Sequence, residues 1–323
     1  MPIEWQRGGL KLQGAGLWFD ARQRSPLAFV SHAHSDHIAR HEHVIATRET
    51  LALMAHRLGP LLATTEAAYR RPWQVGALTL ELYPAGHVLG AAQVRVTRED
   101  GHRVAYTGDL STGPALTAQA AEVVPCDTLV LESTFGHPRY RFPPREQTYD
   151  EVAAWARRQL ALGIRPVLLA YSLGKSQETI AQLTSRGLAL CAHPSIHDIT
   201  RLYAHLGVEV RARRFEGSFE AGEVGLFPPF RSRAALAHLG PVRLAALTGW
   251  ALEPWGARRA GADLAFPVSD HADFPALVAY AQASGAREVV TVHGFADDLA
   301  RGLKRAGLFA RAVSERVQLP LDF

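Results

Sequence analysis

The chain has 323 residues, 47% of them hydrophobic and 20% charged, enough for one large domain or two closely joined ones at roughly 100–200 residues apiece. Its apolar stretches break well short of the ~20 residues a membrane span needs, for example at Pro241 and Arg243 between Ala234 and Leu252, so a helical membrane span is excluded. Two cysteines, Cys126 and Cys191, lie far apart without paired spacing. That excludes a disulfide framework and a thiolate metal site, and leaves nitrogen and oxygen to hold any metal.

The formal charge is +4, and only three of the 35 basic residues are lysine: Lys11, Lys175 and Lys304. Arginine suits bidentate phosphate contacts, although a coding bias of the source genome gives the same skew. Met1 to Arg7 contains no charged stretch followed by an apolar one, so no secretory signal is readable and the cytoplasm is the expected location. Fifteen histidines exceed what packing asks of a chain this size, and where they fall decides the function.

Up to about residue 135 the chain reads as short strands with tight turns. Leu27 to Val30 is a compact apolar run, Leu78 to Tyr83 and Gln93 to Thr97 alternate, and Thr128 to Leu131 is a buried run. A helix is expected around Arg48 to Leu58, capped by Thr47. After Phe142-Pro143-Pro144 the pattern changes to helix (146–162), strand (Pro166 to Tyr171) and helix (Lys175 to Leu183), and the alternation runs on to about residue 260. It predicts a parallel α/β layer. From Asp263 a strand (Leu264 to Val268), a helix (Phe274 to Ala283), a strand (Glu288 to Val292) and a helix (Ala296 to Ala306) follow. Charge divides the chain in the same places: residues 140–262 carry sixteen basic and ten acidic residues, a net of +6, against −2 for the remainder. A basic module beside an acidic, metal-bearing one suits an enzyme that cuts a polyanion, and a solvated basic face gives the same count.

The strongest signal is Ser31-His32-Ala33-His34-Ser35-Asp36-His37, directly after an apolar strand. Histidines and carboxylates at this density are costly to bury unless paired or bound to metal. On an extended strand end His32 and His34 point the same way, and a turn into a helix presents Asp36 and His37 to a neighbouring position. Two adjacent cations are therefore expected.

This element resembles the HxHxDH signature of the metallo-β-lactamase superfamily, and the other motifs of that superfamily follow in order. Asp20, after the strand Gly16 to Phe19, resembles the first; Pro84-Ala85-Gly86-His87 the third, with His87 as ligand; Tyr106-Thr107-Gly108-Asp109 the fourth, with Asp109 as the bridging carboxylate. Leu131-Glu132-Ser133-Thr134, Ser269-Asp270-His271-Ala272-Asp273 and Thr291-Val292-His293-Gly294 resemble the three motifs of the β-CASP nuclease branch, with Glu132, His271 and His293 as their chemical residues. Leu169 to Lys175 resembles the entry to the inserted β-CASP cap. The nearest type is the short bacterial one described as DNA-ligase-associated exonuclease, through Glu132-Ser133-Thr134-Phe135-Gly136, Tyr140-Arg141-Phe142-Pro143 and Gly174-Lys175-Ser176-Gln177.

The resemblance implies an α/β protein. Residues 1–139 and 263–323 are expected to form an αββα metallo-β-lactamase sandwich, and residues 140–262 an inserted α/β cap. It implies a two-metal nuclease in which His32, His34 and His87 hold one cation, Asp36, His37 and His293 the other, and Asp109 both. Such ligands suit zinc, with manganese as an exchange partner. Asp20 is expected to fix a ligand from behind, His271 to act as general acid and Glu132 to orient it. Ser172 and Lys175, at a helix start, are expected to hold a substrate phosphate. Nucleic acid is the expected partner, DNA before RNA, with a functional link to a DNA ligase and none to membranes. A histidine in the last motif is usually associated with RNA processing, so His293 keeps an RNA-processing ribonuclease open. A small-substrate hydrolase would share the metal ligands but not Glu132 and His271. A phosphate-binding loop ending in Gly174-Lys175-Ser176 fails, because Leu169 stands where its first glycine belongs.

Overall fold

A computed structural model describes residues 3–6, 8–229 and 236–313, so residues 1–2, 7, 230–235 and 314–323 of the expected domains lie outside the described ones. The chain divides into two compact units. One comprises the chain up to Pro114, Ala118–Arg141 and the chain from His271; the other comprises Ala115–Thr117 and Phe142–Asp270.

The first unit begins with β1 (Ile3–Gln6), β2 (Gly9–Leu12), β3 (Leu17–Phe19), β4 (Leu27–Phe29) and β5 (His43–Ala46). Helix α1 (Arg48–Leu58) follows, capped as expected by Thr47, whose Oγ1 accepts from the Thr50 amide at 3.2 Å. With β6 (Thr64–Glu66) these strands form one six-stranded sheet in sequence order, parallel from β3 to β6. The next strands are β7 (Trp73–Val75), β8 (Leu78–Pro84), β9 (Ala92–Thr97), β10 (Arg103–Tyr106) and β11 (Thr128–Glu132).

The second unit carries α2 (Arg145–Ala161), β12 (Arg165–Leu169), α3 (Lys175–Ser185), β13 (Ala189–Ala192), α4 (Pro194–His205), β14 (Arg213–Arg214), β15 (Glu223–Phe227), β16 (Val242–Leu247), a short α5 (Gly256–Arg259) and β17 (Leu264–Phe266). Its sheet has the order β14-β13-β15-β12-β16-β17 and every pairing in it is parallel. Val167, Leu169, Phe227 and Leu244 form part of its core.

The chain then returns to the first unit with α6 (Phe274–Ala283), β18 (Glu288–Val292), α7 (Ala296–Arg305) and β19 (Ala310–Ala312). The second sheet of this unit therefore runs β19-β18-β11-β10-β9-β8-β7. Strand β11 is buried along its whole length, which is why Thr128 to Leu131 reads as an unbroken buried run. Val130, Val290 and Val292 face Phe19, Phe29 and Ile45 of the first sheet, whereas Leu129, Leu131 and Val289 pack with Leu277, Leu299 and Leu303 of α6 and α7. The result is an αββα sandwich with an α/β insertion.

Three expectations are corrected. The strand Leu264–Phe266, expected in the sandwich, pairs in parallel with β16, so the chain returns after Asp270 and not after residue 262. Alternation of strand and helix does not say which sheet a strand joins. Residues 115–117 belong with the second unit, where Glu178 accepts from the amides of Leu116 and Thr117 and from the Thr117 hydroxyl. The helix expected after His34 is instead a turn at residues 35–37, closed by the His37 amide on the His34 carbonyl at 3.1 Å. No helix among the described residues is long and apolar enough to cross a membrane.

Candidate metal centre

Within the first unit the chemistry-bearing residues follow the carboxyl ends of strands. Asp20 follows β3, His32 and His34 follow β4, His87 follows β8, Asp109 follows β10, Glu132 ends β11 and His293 follows β18. Asp20 and His293 adopt positive φ angles of 43° and 62°, a strained conformation for non-glycine residues that persists where surroundings enforce it. Gly108 also has positive φ, and a Cβ there would collide with the Ser31 side chain. Only glycine lets the turn that carries Asp109 close against the histidine segment.

A single oxygen, Asp109 Oδ2, lies at the centre of the cluster. It is 3.4 Å from His32 Nε2, 3.5 Å from His37 Nε2 and from His87 Nε2, and 3.8 Å from His271 Nε2. His34 Nδ1 is 3.0 Å from both His32 Nε2 and His87 Nε2. Donor atoms of His32, His34, His87 and Asp109 all fall within 4.8 Å of one another. On the other side Asp36 Oδ2 lies 3.7 Å from His37 Nε2, and Asp36, His37 and His293 line one pocket with Asp20, Arg22, Tyr106 and Trp5.

Hydrogen bonds behind the rings fix which nitrogen faces inward. Asp20 accepts from the Ser31 amide at 2.6 Å, the Ser31 hydroxyl at 2.5 Å, the Tyr106 hydroxyl at 2.8 Å and His37 Nδ1 at 2.9 Å. Because Ser31 gives its only hydroxyl proton to Asp20, it accepts from His32 Nδ1 at 2.9 Å. The Nε2 atoms of His32 and His37 are thereby aimed at Asp109. Glu132, fully buried, accepts from the amides of Leu110 and Thr134 and from His271 Nδ1 at 2.9 Å.

The donor set fits divalent cations. Burial, reinforced by His37 and His87, holds His32 well below the ordinary imidazole value; burial, then His37 and Arg22, bring His293 down to about 4. Both rings are neutral and offer lone pairs. Burial alone would lower His37 too, yet the Asp109, Asp36 and Asp20 carboxylates outweigh it and raise the ring to about 10. Burial pushes Asp109 up to about 7 against the pull of His37 and His271. Neutral imidazoles converge where the carboxylates call for positive charge. In addition, His293 Nε2 is buried without a hydrogen-bond partner, a costly state that a metal ligand bond would relieve.

Ser172 and Lys175 belong to the second unit. Ser172 Oγ lies 3.3 Å from Ser195 Oγ; Lys175, 5% exposed, pairs with Asp270 at 3.0 Å and sits 5.2 Å over the Tyr171 ring. A substrate phosphate would compete with Asp270 for that ammonium. Sequence reasoning missed Ser31, Tyr106, Arg22 and Trp5 as parts of the site. Tyr106 and Ser31 stand inside or beside quoted motifs, but their hydroxyls carry no signal until the strands are paired. Trp5 meets His293 edge to face at 6.2 Å.

A family profile described as "Beta-lactamase superfamily domain" matches residues 21–162. The chain is 36% identical over 316 residues to a "Probable DNA ligase" of Opitutus terrae, a match that covers 97% of this chain and 31% of that protein. It is 26% identical over 175 residues to an "RNase J-like protein" of Methanocaldococcus jannaschii, covering 47% of this chain and 41% of that one. The chain thus spans less than half the length of each of these two relatives. Among solved structures, a protein of unknown function from Enterococcus faecalis V583 superposes with a TM-score of 0.59 at 16% identity, over 90% of this chain and 80% of that one. The chain belongs to the metallo-β-lactamase superfamily, in its β-CASP branch.

Proposed function

We propose that the protein is a metal-dependent nuclease that hydrolyses phosphodiester bonds of DNA, working inward from a strand end. The observation that carries this reading is one carboxylate oxygen faced by four imidazole nitrogens, one of which, on His271, is held from behind by a fully buried glutamate. In this reading His32, His34 and His87 would hold one cation and Asp36, His37 and His293 the second, with Asp109 available to both. Zinc fits the nitrogen and oxygen donors, with manganese exchanging for it. Divalent cations bound there would supply an activated water and charge neutralisation at the scissile phosphate.

The chain's own residues do the rest. Asp20 holds the proton on His37 Nδ1 and so keeps Nε2 directed inward. Glu132 does the same for His271, whose Nε2 delivers a proton to the departing oxygen. Burial would raise Glu132, but His271 and the donated hydrogen bonds hold it down at about 2, so it accepts and does not donate. Ser172 and Lys175 contact a substrate phosphate in the second unit.

DNA is favoured because the relative whose name concerns DNA matches 97% of this chain, whereas the RNase J-like one matches 47%. The first likeness also supports a functional link to DNA ligation. A ribonuclease is the second reading, favoured by the RNase J-like relative and by His293 in the last motif. Matched DNA and RNA strands, labelled at either end and digested with zinc and with manganese, separate them. Stepwise shortening of the DNA strand is expected. Cleavage of RNA alone would replace this reading with the second, and no cleavage of either would end both.

A further inference from the structure

The sequence offers several tryptophans that differ little on paper, and the structure sorts them. Trp155 is 6% exposed and packs edge to face on Phe266. Trp73 buries its Nε1, Trp5 meets His293, and Trp18 lies under Lys11. Trp250 and Trp255 are set apart by pairing with each other: both are partly exposed, as Trp5, Trp18 and Trp73 are, but their rings stand 5.7 Å apart at 30° in the loop between β16 and β17.

That loop is built to bring the two rings together. Thr248 Oγ1 accepts from the Trp250 amide at 3.2 Å and starts a 3₁₀ turn, Gly249–Leu252. The Glu253 amide closes it on the Trp250 carbonyl at 2.9 Å. Helix α5 then folds back so closely that a Cβ at Gly256 would collide with the Trp250 carbonyl oxygen. The surroundings are cationic and apolar. The Arg259 guanidinium lies 5.2 Å over the Trp255 ring, Arg258 is exposed, and Leu252 is 40% exposed. Between Thr248 and Ala262 the sole acid is Glu253, within a segment (140–262) whose net charge is +6. The loop leaves the carboxyl end of β16 in an all-parallel sheet, the edge where open α/β sheets take their ligands.

We propose that this loop is a stacking platform for single-stranded nucleic acid, with Trp250 and Trp255 receiving bases and Arg258 with Arg259 receiving the adjoining backbone. Two paired, partly exposed rings in an arginine-bearing loop match a chain of flat bases on a polyanion. A duplex hides its base faces and fits only the arginines. The inference rests on the nucleolytic reading above and adds to it a strand-holding surface built from residues of the second unit.

The test uses the metal-loaded full chain and a fluorescent oligothymidylate of about 12 nucleotides, with phosphorothioate linkages that resist cleavage, followed by anisotropy. Trp255→Ala is expected to weaken binding by about 10-fold, and Trp255→Phe, which keeps a ring, by much less. Arg258→Glu, at an exposed position, should weaken binding and flatten its salt dependence by about one counterion. A duplex of the same length should respond to Arg258→Glu and hardly to Trp255→Ala. Strand binding unchanged in both Arg258→Glu and a folded Trp255→Ala would overturn the platform. Should Trp255→Ala unfold, Arg258→Glu and the loss of strand-induced fluorescence quenching in Trp255→Phe decide instead. Wild-type protein that binds neither strand nor duplex would sink the nucleolytic reading itself.

Discussion

Asp20 with His37, and Glu132 with His271, are two copies of one device built around Asp109. In each a buried carboxylate sits 2.9 Å from the Nδ1 of a histidine whose Nε2 faces Asp109 Oδ2, at 3.5 Å and 3.8 Å. The differences lie in access and in neighbours. The His37 side chain is 6% exposed and has Asp36 as a further carboxylate beside its Nε2, whereas that of His271 is 17% exposed. A carboxylate behind an imidazole sets which nitrogen faces inward, and exposure decides what that nitrogen then meets. Enclosed, it suits a metal; open to substrate, it suits proton transfer.

The comparison breaks most severely at Asp109, which both halves share. Asp109→Ala should lose bound metal and activity together, since no single histidine faces both sides. Metal analysis of the purified variant checks this, and two retained metals per chain would remove Asp109 from the bridging place. Next comes His271→Ala, expected to cut turnover by about 10²–10⁴-fold while strand binding persists. A substrate with a better leaving group should recover part of that loss, and the absence of any recovery would argue for a structural ring. Asp20→Asn should act through His37 and lower metal affinity by roughly 10–100-fold, read by competition with a chromophoric chelator. An unchanged affinity would mean that Ser31 and Tyr106 alone hold the pocket.

The smallest effect lies in the second unit, where a carboxylate pairs with arginine and not with imidazole. Arg213 donates to Glu223 at 2.6 and 2.7 Å, and that hydrogen bonding holds Glu223 below its ordinary value despite burial. Its contribution to stability is therefore present above the ordinary glutamate range and fades as pH falls below it. Glu223→Gln should cost about 1–2 kcal/mol at neutral pH and little in acid. Equal losses in melting temperature at both pH values would contradict the assignment.

How much of this was legible in the sequence follows the physics of each feature. His32, His34, Asp36 and His37 stand out because a dense run of histidines and a carboxylate directly follows an apolar strand, a local pattern, whereas Asp20, His87, Asp109, Glu132 and His293 were legible only through resemblance to the motifs of a known superfamily. Helices α1 and α6 keep their expected bounds because Thr47 and Asp273 cap them through their own side chains. What depends on long-range pairing was hidden. Tyr106 reaches Asp20 across 86 positions, and β17 joins β16 through register alone. Lys175 pairs with Asp270, 95 residues on in the chain, a partner that no local pattern announces. The tryptophans of the second unit separated only when burial set Trp155 apart from Trp250 and Trp255.

The central claim is that His271 and His37, held alike, do different work. Metal content of His271→Ala, measured per chain beside wild type, addresses it most directly. The account predicts the same two metals in both proteins with turnover lost in the variant. A variant that has lost one metal would make His271 a ligand and erase the distinction between the two pairs.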